Sequence, residues 1–504
     1  MNKTLLTSLF ALLCLFYANA QDITVKVTDA QSGENLSYAG ILVNDTISLL
    51  SNAEGYFTIP ETSTADKIPV IISFRGYNTL HTNLGRLKEN NFTAKLEPGV
   101  FQLETVHISN ASTNADTIMA MVKRNLKENY KWVNTSEKNI VFHRQSVTFK
   151  PSRLDVEMDK STGFSKTDIK AANTKLKDFT SKLISYPPQQ FTDMLCNYYT
   201  LKKTVKGKPS MITKFEVKKA VKLKDENRSV SIDDLQKNLT EMLYTHIDTT
   251  RYYRIKSGLF GTRDTVLSPS NFKKDKTARN KSKTAQARAE VLGFMYSGGL
   301  SGSFVDFIDK QELYQYTYTG AIQTDDNNFI YIIKFRPKHR KGKYAGTLYI
   351  SETDYAVVRA DYALGEGKTL GGVNLKFLLG VKQSENISRG TIIYKKRTDD
   401  PGYYLQYASQ ETGSYIYINR PLKVIEITED KKDKVAFDLK VEANMIDKEE
   451  FFNISKTAIT EAEFDKVDES DFSYITLSKY NPDIWKEDGG IEPLEEMKQF
   501  RTIK

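Results

Sequence analysis

The chain has 504 residues, of which 11% are aromatic and 27% are charged. This composition excludes a globally disordered protein and supplies enough apolar material for two or three domains. The formal net charge of +9 is the difference between 72 basic and 63 acidic residues. So mild an excess fits a lysine-rich solvated surface and leaves open an attraction to anionic lipid head groups.

The N-terminus has the layout of an export signal. A basic start at Lys3 is followed by the apolar stretch Leu5–Tyr17 and by the small residues of Ala18-Asn19-Ala20. This pattern predicts a cleaved signal peptide over residues 1–20, with processing before Gln21. We therefore expect an exported protein in the periplasm or at the periplasmic face of an outer membrane, with a retained anchor as the alternative.

The cysteines and the hydropathy pattern agree with this interpretation. Cys14 lies inside the signal, and Leu13 is a poor residue to precede a lipid-modified cysteine, so a lipoprotein is not favoured. Cys196 is then the single cysteine of the mature chain, which excludes an internal disulfide. No stretch after residue 20 approaches 18 continuous apolar residues, so the sequence predicts no transmembrane helix.

Residues 21–108 consist of short runs of alternating apolar residues separated by turn residues, which is typical of antiparallel strands. Roughly seven such runs predict a mainly β fold that opens with a seven-stranded β-sandwich. Six of these predicted strands lie within Ile23–Val27, Ala39–Val43, Tyr56–Ile59, Val70–Phe74, Phe92–Leu96 and Leu103–Ile108, and the predicted turns lie at Asp29–Glu34 and Asn52–Gly55.

The same residues carry a family resemblance. The pattern Asp29…Gly33-Glu34-x-Leu36-x-x-Ala39-x-Ile41, with Glu54-Gly55-x-Phe57 and Ser73-Phe74-x-Gly76-Tyr77 after it, resembles the carboxypeptidase regulatory-like domain. That domain is a transthyretin-like sandwich common in exported Bacteroidetes proteins. The resemblance covers nearly all of residues 21–108 and implies an accessory fold without catalysis. One departure is the absence of the glycine often found just before the valine of the first strand.

Residues 109–135 are predicted to form a linker, Ser109–Asn114, and then a helix capped by Asn114 or Thr113. Ile118, Val122 and Leu126 fall on one face of that helix. Residues 471–504 are interpreted as a C-terminal tail. The domain order resembles that of a group of Bacteroidetes envelope proteins that begin with the same domain. Their C-terminal signature resembles the closing segment of this chain, Tyr480-Asn481-Pro482-Asp483-x-Trp485…Ile491-Glu492-Pro493. This resemblance implies no activity.

Residues 136–470 are predicted to form a β-rich α+β domain, built on a curved antiparallel sheet with packed helices. The segment Gly346-x-Leu348-Tyr349-Ile350, the turn Ser351–Asp354 and Val357-Val358-Arg359 resemble the sheet hairpins of LolA-like lipoprotein carriers. Helices are predicted at Ser231–Ile247, from a capping pair and an apolar stripe, and around Leu176, Phe179 and Leu183. The lysine-rich stretch Phe272–Ala287 is interpreted as a loop.

Motifs for chemistry are weak. The five histidines are His81, His107, His143, His246 and His339, and none starts a metal-binding motif, so zinc hydrolysis is not favoured. Surface or hydrogen-bonded positions are the ordinary interpretation for those in strands. Gly367-Lys368-Thr369 lacks the first glycine of a P-loop, and Gly298–Ser303 lacks the last glycine of a nucleophile elbow. Cys196 lies among apolar residues and is predicted to be buried and inert.

Two surface features stay open in the sequence. The basic run Arg336–Lys343 is predicted to be a hairpin loop that is solvated or contacts lipid phosphate or an acidic partner. The tyrosine alternation of Tyr314-Tyr316-Tyr318 and of Tyr415-Tyr417 fits ordinary sheet packing, and it also fits a sugar or lipid groove.

The sequence therefore predicts a non-catalytic cell-envelope protein that binds a protein partner or an apolar or lipid ligand, glycolipid included. It predicts no cofactor, no metal and no nucleic-acid partner, and it assigns no catalytic or ligand-binding residue. The alternatives are a hydrolase with dispersed catalytic residues and an outer-membrane β-barrel, which the alternating strands favour and the chain end Phe500–Lys504 opposes. A pocket that joins carboxylates with one histidine would favour the hydrolase.

Overall fold

The structure is a computed structural model. It describes residues 23–60, 65–74, 76–101, 114–130, 135–162, 165–205, 207–224, 250–257, 265–267, 283–297, 300, 306–323, 328–397, 401–427, 434–485 and 491–500. The contacts divide the chain into two compact units, residues 1–99 with 482–494 and residues 100–481 with 495–504. The fold is mainly β, as the sequence predicts.

In the part of the first unit that the structure describes, seven strands form two sheets; five of them match predicted strands, while Ile47–Leu50 and Leu80–Asn83 were not predicted. One sheet has three strands and the other has four, and side chains from both sheets form one apolar core. Val25, Phe57 and Ile72 are each no more than 1% exposed in that core. The strands are β1 (Ile23–Asp29), β2 (Gly40–Val43), β3 (Ile47–Leu50), β4 (Tyr56–Ile59), β5 (Pro69–Ser73), β6 (Leu80–Asn83) and β7 (Thr93–Leu96), with helix α1 (Leu84–Glu89) before β7.

Residues quoted for the family resemblance hold the turns of this unit. The Asp29 carboxylate accepts hydrogen bonds from the backbone N–H of Gln31 and Ser32, at 2.7 and 2.8 Å, and from the Tyr77 hydroxyl at 2.6 Å. Gly55 has φ +83°, and a Cβ there would lie 2.8 Å from the carbonyl oxygen of Val27. The motif therefore closes a turn between strands and leaves no room for a side chain at that glycine.

Residues from near the C-terminus complete the first unit. The Asn52 side chain donates a hydrogen bond to the carbonyl oxygen of Pro493 at 3.0 Å, and Thr58 donates to the carboxylate of Glu492. The segment predicted as a tail is thus shared between the two units. The predicted domain end at residue 108 lies outside the described residues.

The second unit is built on one large sheet with the order β22-β11-β10-β9-β21-β20-β19-β17-β16-β15-β14-β8. Neighbours are antiparallel except β11 and β22. Strands β12 and β13 extend it beside β20, and β18 pairs with β19. The strands are β8 (Val100–Phe101), β9 (Glu137–Ser161), β10 (Gln189–Val205), β11 (Lys208–Lys224), β12 (Tyr253–Ser257), β13 (Thr265–Leu267), β14 (Tyr314–Gln323), β15 (Phe329–Pro337), β16 (Tyr344–Ser351), β17 (Val357–Leu364), β18 (Gly372–Leu375), β19 (Val381–Lys396), β20 (Tyr403–Glu426), β21 (Lys434–Ala458) and β22 (Ile475–Leu477).

Helices pack against this sheet at separate places. Ile118, Met119 and Val122 of the second helix join the core that covers strands β14 to β17. The third helix runs alongside β9, where the Asn173 side chain bonds both backbone groups of Met158. The helices are α2 (Ala115–Asn129), α3 (Lys166–Ser185), α4 (Thr284–Ser297), α5 (Lys376–Leu379), α6 (Glu461–Asp465) and α7 (Glu495–Lys498).

Most element predictions are confirmed, and one is wrong in part. Asn114 caps α2, and the predicted helix around Leu176–Leu183 is α3. The loop predicted over Phe272–Ala287 is wrong for its last four residues, because Thr284 begins α4 and Ala287 packs into the core. The lysine-rich residues before Thr284 gave no helical pattern, and the apolar residues of the helix follow them in the sequence. The helix predicted at Ser231–Ile247 and the strand at Leu103–Ile108 lie outside the described residues.

Among the described residues, no helix combines the length and the apolar character that crossing a membrane requires.

Candidate functional site

Three central strands of the large sheet present two contrasting faces. Side chains alternate along β9, β10 and β21, so neighbouring residues lie on opposite faces. Register pairs Phe451 and Met194 with His143, which places these three on one face. We call it the helix-covered face, since α4 packs on it. Its apolar layer contains Val141, Met194, Cys196, Phe215, Ala220, Ala408 and Phe451 of the strands with Ala287, Val291, Leu292 and Phe294 of α4.

Helix α4 is anchored to this face by its first turns. The hydroxyl of Thr284 donates a hydrogen bond to the carbonyl oxygen of Ser470, and its backbone N–H donates to the Asp471 carboxylate at 3.3 Å. Arg288 pairs with Glu469 at 3.0 Å. Polar contacts at the first turns and apolar contacts along the rest of the helix therefore hold α4 against the sheet.

A histidine and three carboxylates lie at the edge of the apolar layer. His143 is fully buried, and both of its ring nitrogens lack a hydrogen-bond partner. Its Nδ1 lies 4.0 Å from Glu290 of α4, and its Nε2 lies 3.6 Å from Glu449 of β21. The Phe294 ring packs edge-on against the imidazole, with the ring centres 6.0 Å apart. Both of these nitrogen–oxygen distances are longer than hydrogen bonds.

Two carboxylates of this group, those of Asp447 and Glu290, have raised pKa values. Burial, together with the charges of Glu449 and Glu290, raises the pKa of Asp447 to about 6, although Gln145 Nε2 donates hydrogen bonds to both carboxylate oxygens, at 3.2 and 3.1 Å. Burial and the charge of Glu449 also raise the pKa of Glu290. We call His143, Gln145, Glu290, Asp447 and Glu449 the His143 cluster. It has three acidic groups and one imidazole.

The opposite face carries a balanced set of charges. Arg144 binds Asp193 through two hydrogen bonds of 2.8 Å, and both side chains are buried. Glu450 accepts a hydrogen bond from the Tyr407 hydroxyl at 2.9 Å and pairs with Lys448 at 3.5 Å. Here the buried polar groups have partners, as is normal for a structural network. The His143 cluster differs in having an unpartnered imidazole and an excess of acid.

This arrangement suits a ligand with an apolar part and a polar end. An apolar layer with a few convergent polar groups of perturbed pKa is the usual make-up of a small-molecule site. The carboxylates can accept hydrogen bonds from hydroxyl or ammonium groups. In the part of the chain that the structure describes, no three His, Cys, Asp or Glu side chains are grouped to hold a metal ion.

The other histidines take no part in this site. His81 is exposed on β6, and His339 is exposed between β15 and β16. His107 and His246 lie outside the described residues. His143 is neither a surface histidine nor a hydrogen-bonded one, so the ordinary interpretation is wrong for it. The carboxylates that approach it come from residues far along the chain, Glu290 on α4 and Glu449 on β21.

The remaining motif residues have structural roles. Cys196 is fully buried, and burial with the nearby charge of Glu290 raises the pKa of its thiol, as an inert cysteine requires. Gly367 has φ +68° in a turn where Lys368 donates to the carbonyl oxygen of Arg340. In the stretch Gly298–Ser303 only Leu300 is described, and its N–H donates to the Tyr394 hydroxyl at 2.9 Å.

The basic run and the tyrosine strands are also placed. Residues 338–343 connect β15 to β16, so the predicted hairpin loop is confirmed except at Arg336 and Pro337, which belong to β15. Lys343 donates a hydrogen bond to the carbonyl oxygen of Thr369. Tyr314 and Tyr316 are buried in the core of β14 to β17, so ordinary sheet packing is confirmed for them. Tyr415 and Tyr417 are partly exposed, with lysine ammonium groups over their rings.

Comparison with known proteins adds no family. No protein-family model matches this chain, and no curated protein matches it. Among solved structures, a DUF1329 family protein from Desulfovibrio piger is similar over 69% of this chain and 96% of its own length, with 12% sequence identity and a TM-score of 0.15.

Proposed function

We propose that this chain is a non-catalytic cell-envelope protein that binds an apolar or lipid ligand on the helix-covered face of its large sheet. The ligand's apolar part takes the place of the α4 contacts, and its polar end donates hydrogen bonds to the His143 cluster. Helix α4 has 14 residues and so covers roughly 20 Å at 1.5 Å per residue, which suits a long acyl chain.

The observation that carries this proposal is the unpartnered imidazole of His143 beneath α4. A buried polar group without a hydrogen bond costs free energy, and a layer that serves only packing has no reason to keep one. A hydroxyl-bearing head group, such as that of a glycolipid, would supply the missing partners. Most of the remaining contacts in the layer are apolar, and they suit an acyl chain.

Export and the identity of the first unit belong to the same proposal. The signal pattern of residues 1–20 supports a periplasmic location or the periplasmic face of an outer membrane. The seven-stranded sandwich and the turn held by Asp29 and Tyr77 support a carboxypeptidase regulatory-like domain. Such a domain would act as an accessory to the larger unit.

The test is to purify the full-length chain from the envelope of the cells that make it, then record its native mass before and after lipid extraction. We expect a bound lipid or glycolipid at one molecule per chain, which extraction removes. A mass equal to that of the polypeptide alone before extraction would contradict tight ligand binding.

A hydrolase is the second candidate, because carboxylates approach both ring nitrogens of His143, as they do where a carboxylate orients a general base. A substrate, like the proposed ligand, would have to replace the α4 contacts to reach this buried imidazole. Turnover of a chromogenic ester by the wild type that disappears in H143Q would replace the binding proposal.

A further inference from the structure

The hairpin that joins β18 to β19 carries the two most exposed large apolar side chains among the described residues, Phe377 and Leu378. Phe377 is 100% exposed, Leu378 is 75% exposed, and Val373 on β18 is 53% exposed. Single exposed apolar residues are ordinary, but three within six positions of one hairpin form a patch. We call Val373, Phe377 and Leu378 the apolar tip.

The tip is held by a defined backbone. Strand β18 pairs with β19 from Gly372–Ser384 to Leu375–Val381, and α5 makes the connection. Gly380 ends α5 with φ +67°, and its carbonyl oxygen accepts a hydrogen bond from the N–H of Asn419 at 2.7 Å. A Cβ at Gly380 would lie 2.0 Å from the carbonyl oxygen of Asn419. Only glycine allows this close approach to β20, so the backbone itself fixes the place of the tip.

Cations and tyrosines lie next to the tip. The ammonium group of Lys376 stands 4.2 Å from the ring centre of Tyr417, and that of Lys382 stands 5.6 Å from the ring centre of Tyr415. Neither ammonium pairs with a carboxylate among the residues that the structure describes. In the register, Lys382 lies opposite Tyr417, only two residues past Gly380. The apolar apex is thus followed closely by a layer of lysine and tyrosine.

From this order of side chains we infer that the apolar tip docks on the surface of an anionic phospholipid bilayer. Phe377 and Leu378 would enter the acyl boundary, while Lys376 and Lys382 reach lipid phosphates. Aliphatic and aromatic side chains prefer this boundary, tyrosine favours the head-group level, and lysine extends its stem to keep its charge in water. Each of these residues therefore lies at the depth that suits its chemistry.

A bilayer fits better than a protein partner. Phe377 protrudes fully from its surroundings with a lysine beside it, an arrangement that matches an acyl layer beneath anionic head groups. The lysines complement an anionic surface, and each adds attraction that salt weakens. The docking site differs from the His143 cluster, and the inference does not depend on a ligand beneath α4.

The experiment measures binding of the full-length chain to vesicles by sedimentation. One vesicle type contains phosphatidylcholine and phosphatidylglycerol in equal parts, and the other contains phosphatidylcholine alone. The double variant F377S/L378S is compared with I184S/Y186S, which removes one aliphatic and one aromatic exposed side chain elsewhere. A second pair compares K376Q/K382Q with K166Q/K170Q on α3. Circular dichroism and the melting temperature establish that each variant folds.

We expect the wild type and both control variants to bind the mixed vesicles equally. F377S/L378S should bind at least about tenfold more weakly, because two apolar side chains no longer leave water. K376Q/K382Q should lose binding several-fold at low salt and little at high salt. Equal binding of wild type and F377S/L378S would overturn the inference. The inference would also be overturned if the wild type bound neither vesicle and F377S/L378S lost an envelope protein that co-purifies with the wild type. That result would assign the tip to a protein partner.

Discussion

His143 and Arg144 are adjacent polar residues that are both buried, but only the side chain of Arg144 has hydrogen-bond partners. Arg144 is balanced by Asp193 across two short hydrogen bonds, while His143 faces two carboxylates at 3.6 and 4.0 Å without a hydrogen bond. Breaking a buried balanced pair is costly, so Arg144 and Asp193 fix the sheet. The unbalanced acids on the other face lower stability and leave hydrogen-bonding capacity unused. We interpret the first pair as structure and the second group as a site.

Asp447 gives this interpretation a pH dependence. Its pKa is about 6 in the folded chain and near 3.9 in an unfolded one. Between these values the folded chain keeps a proton that the unfolded chain releases, so the contribution of Asp447 to stability falls as pH rises from about 4 to about 6. Above pH 6 Asp447 is charged in both the folded and the unfolded chain, and burial of its charge lowers the free energy of unfolding by a constant amount.

The variant D447N removes that charge and keeps the shape and an acceptor for Gln145. We expect its free energy of unfolding to match the wild type near pH 4 and to exceed it by roughly 1–2 kcal/mol at pH 7.5, a figure reduced for the part of Asp447 that solvent reaches. Urea unfolding across this pH range is the measurement. D438N, at an exposed position of the same strand, is the control and should leave the curve unchanged. Parallel curves for D447N and the wild type would show that Asp447 is not penalised by burial.

At the scale of elements, substitutions at two glycines distinguish the effect of backbone preference on stability from the effect of side-chain packing. A Cβ at Gly346 in β16 would lie 2.0 Å from the carbonyl oxygen of Asp361 and 3.0 Å from the ring of Phe335. A Cβ at Gly293 in α4 would meet nothing within 4 Å. We expect G346A to destabilise the chain by about 2 kcal/mol or more, although alanine ordinarily improves a strand.

The matched variant G293A should stabilise it by about 0.5–1 kcal/mol, because alanine favours the helix and contacts nothing. Thermal unfolding of both variants checks the pair. Stabilisation by both, or by neither, would mean that the close approach of β16 and β17 or the helical order of α4 is not as described.

Sequence patterns predicted the elements well where the period was regular. Strand β4 begins and ends at the residues that the alternation gave, and α2 begins after the predicted cap at Asn114. Helix α4 was not predicted at all, because lysines precede it and its apolar residues do not repeat evenly. The His143 cluster could not be predicted, since Glu290 and Glu449 meet His143 only after β9 and β21 pair and α4 docks. The uninterrupted alternation of Val141, His143 and Gln145 was the one available signal.

At the scale of the whole molecule, the described chain separates roles between its parts. The first unit is a small sandwich with a continuous core, completed by residues from near the C-terminus. The second unit offers the helix-covered face, which we propose for a ligand, and the apolar tip, which we propose for a membrane surface. These two proposals involve different side chains: H143Q and D447N change the helix-covered face, whereas F377S/L378S and K376Q/K382Q change the apolar tip.

The central claim is that a ligand binds beneath α4, and Cys196 reports on it directly. Its thiol is fully buried in the apolar layer, next to Glu290 of α4. The measurement is the rate at which a maleimide labels Cys196 in the mature chain, with the co-purified lipid bound and after its extraction. The control is the variant L195C/C196A, which moves the thiol to the opposite face.

The account predicts that lipid slows the labelling of Cys196 at least about tenfold and leaves the thiol at position 195 unaffected, since only openings of the helix-covered face expose Cys196. Equal rates for Cys196 with and without lipid, or equal protection at both positions, would contradict binding beneath α4.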